Sequence, residues 1–415
     1  MSRKIRLLLG GSPCTYWSIS QKNNRETEPE GLGWELFKNY LIAKEKFKPD
    51  YFLYENNKSA APPIKDQISK ELKTPLQYIN SSLVSAQNRQ RFYAHNIPDV
   101  PQPTDRGLLI KDILESGSAW NEKSYALTAS YNGAVAWNTI ERKQRTMIAE
   151  ALDYQPYGEL KSGKNGLYCV SKDGTTAMGY TVNYIDGKAP TVISGQASKM
   201  KIIEPIRIGN SGSNSQGDRV YSPYGKSFAL TAYYSTGQNP EHTLKKSLGT
   251  MVAESWDGKT YPIYEVKNGL ITIKGKQYPI KLPDGYYIIR KLTVLECQRL
   301  QTVRDNYLFP VSDSQAYKLL GNGWTVEVIR YILSHIPNLN DCEIEVLSMY
   351  DGMSCGNLAL EAMGCMPVRY VSYEIDKYAI QTTQTNFPFV EQRGDAFQVR
   401  EPYWQYDNGQ LRLSI

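Results

Sequence analysis

Apolar runs and amphipathic stretches alternate at both ends of the chain. In the amino-terminal part the periodicity predicts strand 5–9, helix 34–47, strand 51–54, helix 64–72 and strand 91–96. In the carboxyl-terminal part it predicts strand 345–349, helix 357–363, strand 368–373 and helix 377–386. Such alternation is typical of a sheet flanked by helices. We therefore expect both ends of the chain to build one α/β domain.

The middle of the chain has a different composition. From about 160 to 283 it consists of short runs rich in tyrosine, threonine, serine and glycine, as in Gly179–Tyr184 and Ile271–Gly275. Short strands broken by glycine turns predict a β-rich lobe. We therefore divide the chain into 1–159 and 286–415, which together form the α/β domain, and 160–285, which forms the smaller lobe.

Composition narrows the class of protein. The 415 residues are 22% charged, and no apolar stretch approaches the roughly 20 residues that a membrane helix requires. The six cysteines show neither C-x-x-C spacing nor the density of a disulfide scaffold, which predicts a reducing, cytoplasmic location and no metal site. The net charge of +6 suits a polyanionic partner but is compatible with many functions.

One tetrapeptide, Ser12-Pro13-Cys14-Thr15, follows the apolar strand 5–9 after only two residues. A cysteine fixed by proline at the exit of a strand indicates a presented nucleophile. A lone cysteine in this position is more often a small buried hydrophobe. Other blocks along the chain decide between these two interpretations.

These blocks are short acidic, basic or glycine-rich segments. In chain order they are Tyr54–Asn57, Gln87–Arg91, Arg290–Gln301, Gly321–Trp324, Tyr350–Gly356, Tyr373–Glu374 and Gly394–Asp395. Together with Cys14 they resemble the C5-cytosine DNA methyltransferases of phages and bacteria. The resemblance implies a mixed-sheet, Rossmann-like methyltransferase fold with helices on both faces, plus a smaller β-rich target-recognition domain. That family places its cofactor blocks first, whereas here they come last, so the chain looks circularly permuted.

The resemblance also implies a reaction. Cytosine C5 is a poor nucleophile, and adding a thiolate to C6 pushes electron density onto C5. Cys14 matches the nucleophile, and Glu55 matches the acid that faces ring atom N3. Arg89 and Arg91 match arginines expected in the pocket, facing the cytosine O2, neighbouring phosphates and Glu55. The chain departs from the family pattern at Asn57, where valine is usual.

The implied methyl donor is S-adenosylmethionine. A strand, a glycine turn and a helix would receive it, with Glu374 on the ribose hydroxyls and Asp395 near the adenine amino group. The complete predicted set is Tyr350, Asp351, Gly352, Met353, Ser354, Gly356, Glu374, Ile375, Asp395, Ala396 and Asn322.

The implied substrate is duplex DNA with the target cytosine flipped out of the stack. The polar stretch Ser18–Gly33 matches the loop that closes on DNA in that family. We expect Ser18 and Arg219 to contact the DNA. An RNA cytosine-5 methyltransferase and a DNA-binding protein that has lost turnover are the alternatives. We expect a monomer that does not act at a membrane. The biological role of the methylation stays open among three alternatives: partnership with a separate cognate restriction endonuclease, protection of a phage, and solitary methylation.

Overall fold

The structure is a computed structural model. It describes residues 3–19, 25–152, 262–402 and 404, and the backbone alone of 159–163, 166–170, 204–210, 219–226, 252–254 and 260–261. The chain forms two compact units. The first comprises Met1–Ile113, Glu122–Gly133 and Thr293–Ile415, and the second comprises Leu114–Asn121 and Ala134–Leu292.

A seven-stranded sheet is the centre of the first unit. Its strands are β1 (Arg3–Gly10), β2 (Tyr51–Asn57), β3 (Gln77–Asn80), β5 (Gln90–His95), β17 (Cys342–Met349), β18 (Arg369–Tyr373) and β19 (Glu391–Gln392). They lie in the order β19-β18-β17-β1-β2-β5-β3. The strands from β19 to β2 are parallel, whereas β5 is antiparallel to both β2 and β3. The sheet is therefore mixed, as the family resemblance implies.

The helices of the first unit are α1 (Gly31–Phe47), α2 (Pro62–Leu72), α4 (Val294–Leu300), α5 (Asp313–Asn322), α6 (Val326–Leu333), α7 (Cys355–Glu361) and α8 (Lys377–Asn386). Side chains alternate across a strand, and β1 therefore serves both faces of the sheet. Leu8 is buried in a cluster with Phe37 of α1 and Ile64 of α2. Leu9 meets Gly356 of α7, where an added Cβ would lie 2.5 Å from Leu9 Cδ1. Helices thus cover both faces, as predicted.

Most predicted element boundaries lie within a few residues of the observed ones. The helix predicted at 377–386 is confirmed as α8. The strand predicted at 51–54 continues to Asn57, because the next three residues still pair with β5. The polar stretch was predicted to run to Gly33, but α1 already begins at Gly31. A short two-strand pair, β4 (Gln87–Asn88) with β6 (Ser124–Tyr125), was not predicted.

The second unit contains a six-stranded sheet. Its members are β7 (Met147–Ala151), β12 (Val252–Glu254), β13 (Thr260–Lys267), β14 (Leu270–Ile273), β15 (Lys276–Pro279) and β16 (Gly285–Lys291). The order is β15-β14-β13-β16-β7, with β12 paired to β13. Further strands pair as β8 (Glu159–Gly163) with β9 (Gly166–Val170) and β10 (Glu204–Asn210) with β11 (Arg219–Lys226). The unit also contains the helix α3 (Ala136–Glu141).

This unit extends beyond the predicted limits 160–285. Strand β7 pairs with β16, and the two strands share a buried ion pair between Glu150 Oε1 and Arg290 Nε, 2.7 Å apart. Arg290 also donates to the Ser116 carbonyl, which ties the segment Leu114–Asn121 to the same sheet. The assignment of 160–285 as a target-recognition domain stays a prediction.

Candidate active site

The register of the sheet places the predicted site residues along one edge. Gly10 of β1 pairs with Met349 of β17 on one side and with Tyr54 of β2 on the other. Met349 in turn pairs with Tyr373 of β18. The residues that follow this row therefore emerge together at the carboxyl ends of parallel strands, where α/β proteins bind ligands.

Cys14 lies on the short 3-10 turn Cys14–Tyr16 that follows β1. Its thiol is free and half-buried. The Cys14 carbonyl accepts hydrogen bonds from the backbone N–H groups of Trp17, at 3.1 Å, and Ser18, at 3.0 Å. Asn57 Nδ2 donates to the same carbonyl at 3.4 Å. The backbone of Cys14 is therefore held both by its own turn and by the end of β2.

A buried polar cluster lies next to the turn that carries Cys14. The hydroxyls of Ser12 and Tyr54 are 2.6 Å apart, and Asn56 Nδ2 donates to the Ser12 carbonyl at 2.9 Å. Asn57 Oδ1 accepts from the Ser59 hydroxyl at 2.7 Å. Sequence reasoning did not assign these roles; the nearest signal was the polar pair at 56–57, where a strand would ordinarily continue with apolar residues.

Glu55 is 8% exposed and follows the register row directly. Its Oε1 lies 2.8 Å from Arg91 Nε, and its carboxylate also accepts from the Trp324 side chain. Burial raises the pKa of Glu55, and the nearby charges of Arg91 and Arg89 oppose this rise. An added Cβ at Gly11 would lie 2.6 Å from the Glu55 carbonyl oxygen, so glycine permits this close approach.

Arg89 lies outside the strand that carries Arg91, because β4 ends at Asn88 and β5 begins at Gln90. Arg89 is 3% exposed, and its guanidinium donates to three carbonyls, those of Leu127 at 2.6 Å, Gly321 at 3.1 Å and Gly323 at 2.9 Å. Arg91 contacts Glu55, whereas Arg89 holds the Gly321–Trp324 block in place.

The same block is held by buried amides. Gln87 Nε2 donates to the Leu300 carbonyl at 2.7 Å and to Gln301 Oε1 at 2.8 Å. Gln301 Nε2 donates to the Leu320 carbonyl at 2.5 Å, and Thr325 donates to Gln301 Oε1 at 3.1 Å. Every one of these side chains is buried. Three blocks that are far apart in sequence therefore meet through one hydrogen-bond network.

The glycine turn after β17 has an unusual backbone. Tyr350, Gly352 and Ser354 all have positive φ angles, of 60°, 59° and 57°. Asp351 stabilises the turn: its Oδ1 accepts from the Ser348 hydroxyl at 2.6 Å and from the Tyr370 hydroxyl at 2.7 Å, and its Oδ2 accepts from the Ser354 hydroxyl. Burial raises the pKa of Asp351. Its carboxylate is thus used within the protein.

Glu374 follows β18 and faces the same turn. Its Oε2 accepts from the Gly352 N–H at 2.8 Å, and its Oε1 accepts from the N–H groups of Ile375 and Asp376, both at 2.8 Å. Burial raises the pKa of Glu374 despite these three bonds. A carboxylate has about four lone-pair sites, so this oriented group retains capacity to accept a ligand hydroxyl.

The remaining predicted cofactor residues differ in exposure. Met353, Gly356 and Ala396 are buried. Asp395 is exposed, accepts from the Phe397 N–H at 2.9 Å, and lies close enough to Tyr350 for its charge to help raise the pKa of that hydroxyl. Ile375 is 74% exposed, and Asn322 is exposed at the end of α5.

The structure describes the two residues predicted to contact DNA to different extents. Ser18 lies four residues after Cys14, and its N–H donates to the Cys14 carbonyl. Arg219 begins β11, but its side chain lies outside the described residues. The described part of the polar stretch is anchored through Glu26, whose carboxylate accepts from the Trp17 indole and from the Gly33 N–H, both at 3.0 Å.

A mixed sheet that presents a thiol, a buried carboxyl group and a strained glycine turn at the carboxyl ends of its parallel strands is typical of a group-transfer enzyme with a nucleotide-like cofactor. Residues 1–338 match the model of the C-5 cytosine-specific DNA methylase family. The chain belongs to this family, and it is a DNA cytosine-5 methyltransferase that uses a methyl donor.

Relatives in phages support the family assignment. The orphan methyltransferase M.SPRI of Bacillus phage SPR is 22% identical over 385 residues, which cover 80% of this chain and 82% of that protein. M.Rho11sI of Bacillus phage rho11s, another orphan methyltransferase, is 24% identical over 432 residues, covering 80% and 84%. Among solved structures, the methyltransferase EhMeth of Entamoeba histolytica covers 80% of this chain and 76% of its own, at 11% identity and a TM-score of 0.34. None of the helices in the described ranges is long and apolar enough to span a membrane.

The hydrogen bond from Asn57 to the Cys14 carbonyl gives a first prediction. Asn57→Val removes the donor to the Cys14 carbonyl and the acceptor of the Ser59 hydroxyl. We expect the free energy of unfolding of the first unit to fall by about 1–3 kcal/mol, measured by urea denaturation. Ser59→Ala, which leaves the Cys14 contact intact, should cost less. A valine variant as stable as the unaltered protein would contradict this role for Asn57.

Proposed function

We propose that the protein transfers a methyl group from S-adenosylmethionine to C5 of a cytosine flipped out of duplex DNA, through a covalent bond between Cys14 and C6. The observation that carries this proposal is the shared sheet edge, where Cys14, Glu55 and the glycine turn follow one row of paired residues. Cys14 Sγ attacks C6 while Glu55 gives a proton to N3. After C5 has taken the methyl group from the donor, solvent removes the C5 proton, and the electron pair of that bond restores the C5–C6 double bond and expels Sγ. N3 returns its proton to Glu55.

The described residues fit the proposed cofactor. An added Cβ at Gly352 would meet nothing within 4 Å, so the turn has open space beside it. Glu374, oriented by three backbone amides, can accept hydrogen bonds from a ribose diol. Exposed Ile375 and Asp395 can contact the adenine ring and its amino group. When bound, S-adenosylmethionine supplies an electrophilic methyl group; the chain supplies orientation.

Circular permutation also belongs to this proposal. The family match ends at 338, just before β17, yet β17 is the neighbour of β1 in the middle of the sheet. The cofactor turn and Glu374 follow that boundary in sequence. A permuted order, in which the strand before Cys14 precedes the strands of the proposed cofactor site, accounts for both observations, because the parallel pairing of β17 with β1 is independent of chain order.

Several broader properties are part of the proposal. We infer a monomer that acts in the cytoplasm on double-stranded DNA, with Ser18 and Arg219 among its DNA contacts. A cognate restriction endonuclease would act as a separate protein. The β-rich second unit supports duplex DNA over RNA, because reading the grooves of a duplex needs a separate recognition surface.

The nucleophile is tested directly. Purified protein, labelled S-adenosylmethionine and mixed-sequence duplex DNA should give 5-methylcytosine on nucleoside analysis. Cys14→Ala should abolish transfer and leave DNA affinity largely unchanged, because the thiol contributes chemistry and little binding. Cys342→Ala is the matched control, since Cys342 is also half-buried and free but lies at the opposite end of the parallel strands. Label in RNA alone, or full activity of Cys14→Ala, would refute the proposal.

Glu55 gives a pH-dependent prediction. Burial raises its pKa, so the carboxyl group keeps its proton to a higher pH than an exposed glutamate does. The single-turnover methylation rate should therefore fall as pH rises through this elevated pKa. Glu55→Gln should react roughly 10²–10⁴ times more slowly and lack that alkaline decline. Glu45→Gln, at an exposed position of α1, is the control; an unchanged profile in Glu55→Gln would remove Glu55 as the acid.

Glu374 gives a prediction about the cofactor. Glu374→Ala should raise the Kd for S-adenosylmethionine by about 10- to 100-fold, because hydrogen bonds to a charged acceptor are lost. Glu374→Gln keeps the side-chain shape and should have a smaller effect. Calorimetric titration measures both, with DNA affinity as the control. Unchanged cofactor affinity in Glu374→Ala would exclude this residue from the cofactor site.

A further inference from the structure

A basic cluster on the second unit is unrelated to the residues assigned above. Trp137 of α3 is half-buried, and two cations from different elements lie over its indole ring. The Arg142 guanidinium and the Lys274 ammonium are each 4.3 Å from the ring centroid. Arg142 follows α3, whereas Lys274 occupies the turn between β14 and β15.

We propose that this cluster, the Trp137 patch, binds backbone phosphates of duplex DNA, an inference that rests on the duplex-DNA substrate proposed above. The patch comprises Trp137, Arg142, Lys143, Lys274 and Lys276, and its four cations are all exposed. The acidic residue adjacent in sequence is Glu141, so the two segments keep a surplus of positive charge. Phosphates dominate the affinity of proteins for DNA, and clustered Lys and Arg side chains neutralise them.

Stacking on Trp137 suits these cations for that role. An arginine stacked by its planar face retains its N–H edge for bidentate bonds to phosphate. The ring also orders two flexible side chains before DNA arrives, which lowers the entropy cost of binding. Thr139 fixes the segment that follows the helix, because its hydroxyl donates to the Arg145 carbonyl at 2.6 Å. The patch is thus partly preorganised.

The opposite end of strand β14 is not a basic cluster of this kind. Strand β14 connects the turn at Lys274 with the turn at Asn268–Gly269, and an antiparallel hairpin places these turns at opposite ends. Asp284 accepts from the N–H groups of Asn268, at 2.9 Å, and Gly269, at 3.3 Å. Lys267 is exposed beside that acid-capped turn. It is therefore a matched control of the same charge in the same sheet.

The experiment compares Arg142→Gln/Lys274→Gln with Lys267→Gln. Fluorescence anisotropy measures the affinity for a duplex lacking the target sequence from 50 to 300 mM NaCl, roughly the range in which phosphate contacts dominate. The plot of log K against log salt should become shallower by about 2 in the double variant, since each lost phosphate contact contributes about 0.9. At about 100 mM salt we expect roughly tenfold weaker binding. Lys267→Gln should match the unaltered protein.

Other outcomes would overturn the proposal. An unchanged salt slope with a lower melting temperature would mean that the cations only stabilise the packing of Trp137. Equal losses in Lys267→Gln would mean that diffuse charge, rather than the patch, attracts DNA. Weaker binding to target DNA alone would indicate base readout instead of phosphate contact. S-adenosylmethionine affinity and the methylation rate at saturating DNA should stay unchanged, which separates this proposal from the assignment of the active site.

Discussion

The pairing of β1 with β17 is the constraint on which the active site depends. It joins the beginning of the chain to its carboxyl-terminal part in a parallel register from Arg3 with Cys342 to Gly10 with Met349. A shift of one residue would turn Leu8 and Leu9 to the wrong faces of a sheet that is covered on both sides. It would also move the Cys14 turn relative to the glycine turn. The packing of two leucines therefore fixes the separation of Cys14 and the glycine turn, which the proposed reaction needs.

A second constraint operates behind the sheet edge. Arg89, Gln87 and Gln301 are buried, and each has hydrogen-bond partners within the protein. Buried polar groups are costly when unpaired, but a fully paired network specifies one arrangement of the segments it joins. The close contact at Gly321 adds to this, because an added Cβ would lie 2.2 Å from the Thr128 carbonyl carbon. The Gly321–Trp324 block can therefore place Trp324 on Glu55 reproducibly.

Sequence patterns predicted a sheet with flanking helices because apolar runs at β1, β2 and β17 alternate with helical stretches. The resemblance to the methyltransferase family implied that the sheet is mixed. The sequence patterns also predicted which residues gather at the edge, since the motifs follow strand ends. They did not predict the separate contacts of Arg89 and Arg91, which depend on a break in the strand at one residue. Nor did they locate the limits of the second unit, because the β7–β16 pairing joins segments about 140 positions apart, as the Arg290–Glu150 hydrogen bond illustrates.

The different partners of the two arginines have an electrostatic consequence. Arg91 is paired with Glu55, whereas Arg89 donates to three neutral carbonyls and forms no ion pair within the described part of the chain. Burial, followed by the charge of Arg91, lowers the pKa of Arg89 to about 10, so it remains protonated at neutral pH. Around Glu55 the protein therefore holds two positive charges and one titratable carboxyl group. In the proposed reaction, negative charge develops on the cytosine ring as the thiolate adds, and a fixed positive surplus in a buried site stabilises that charge more than solvent would.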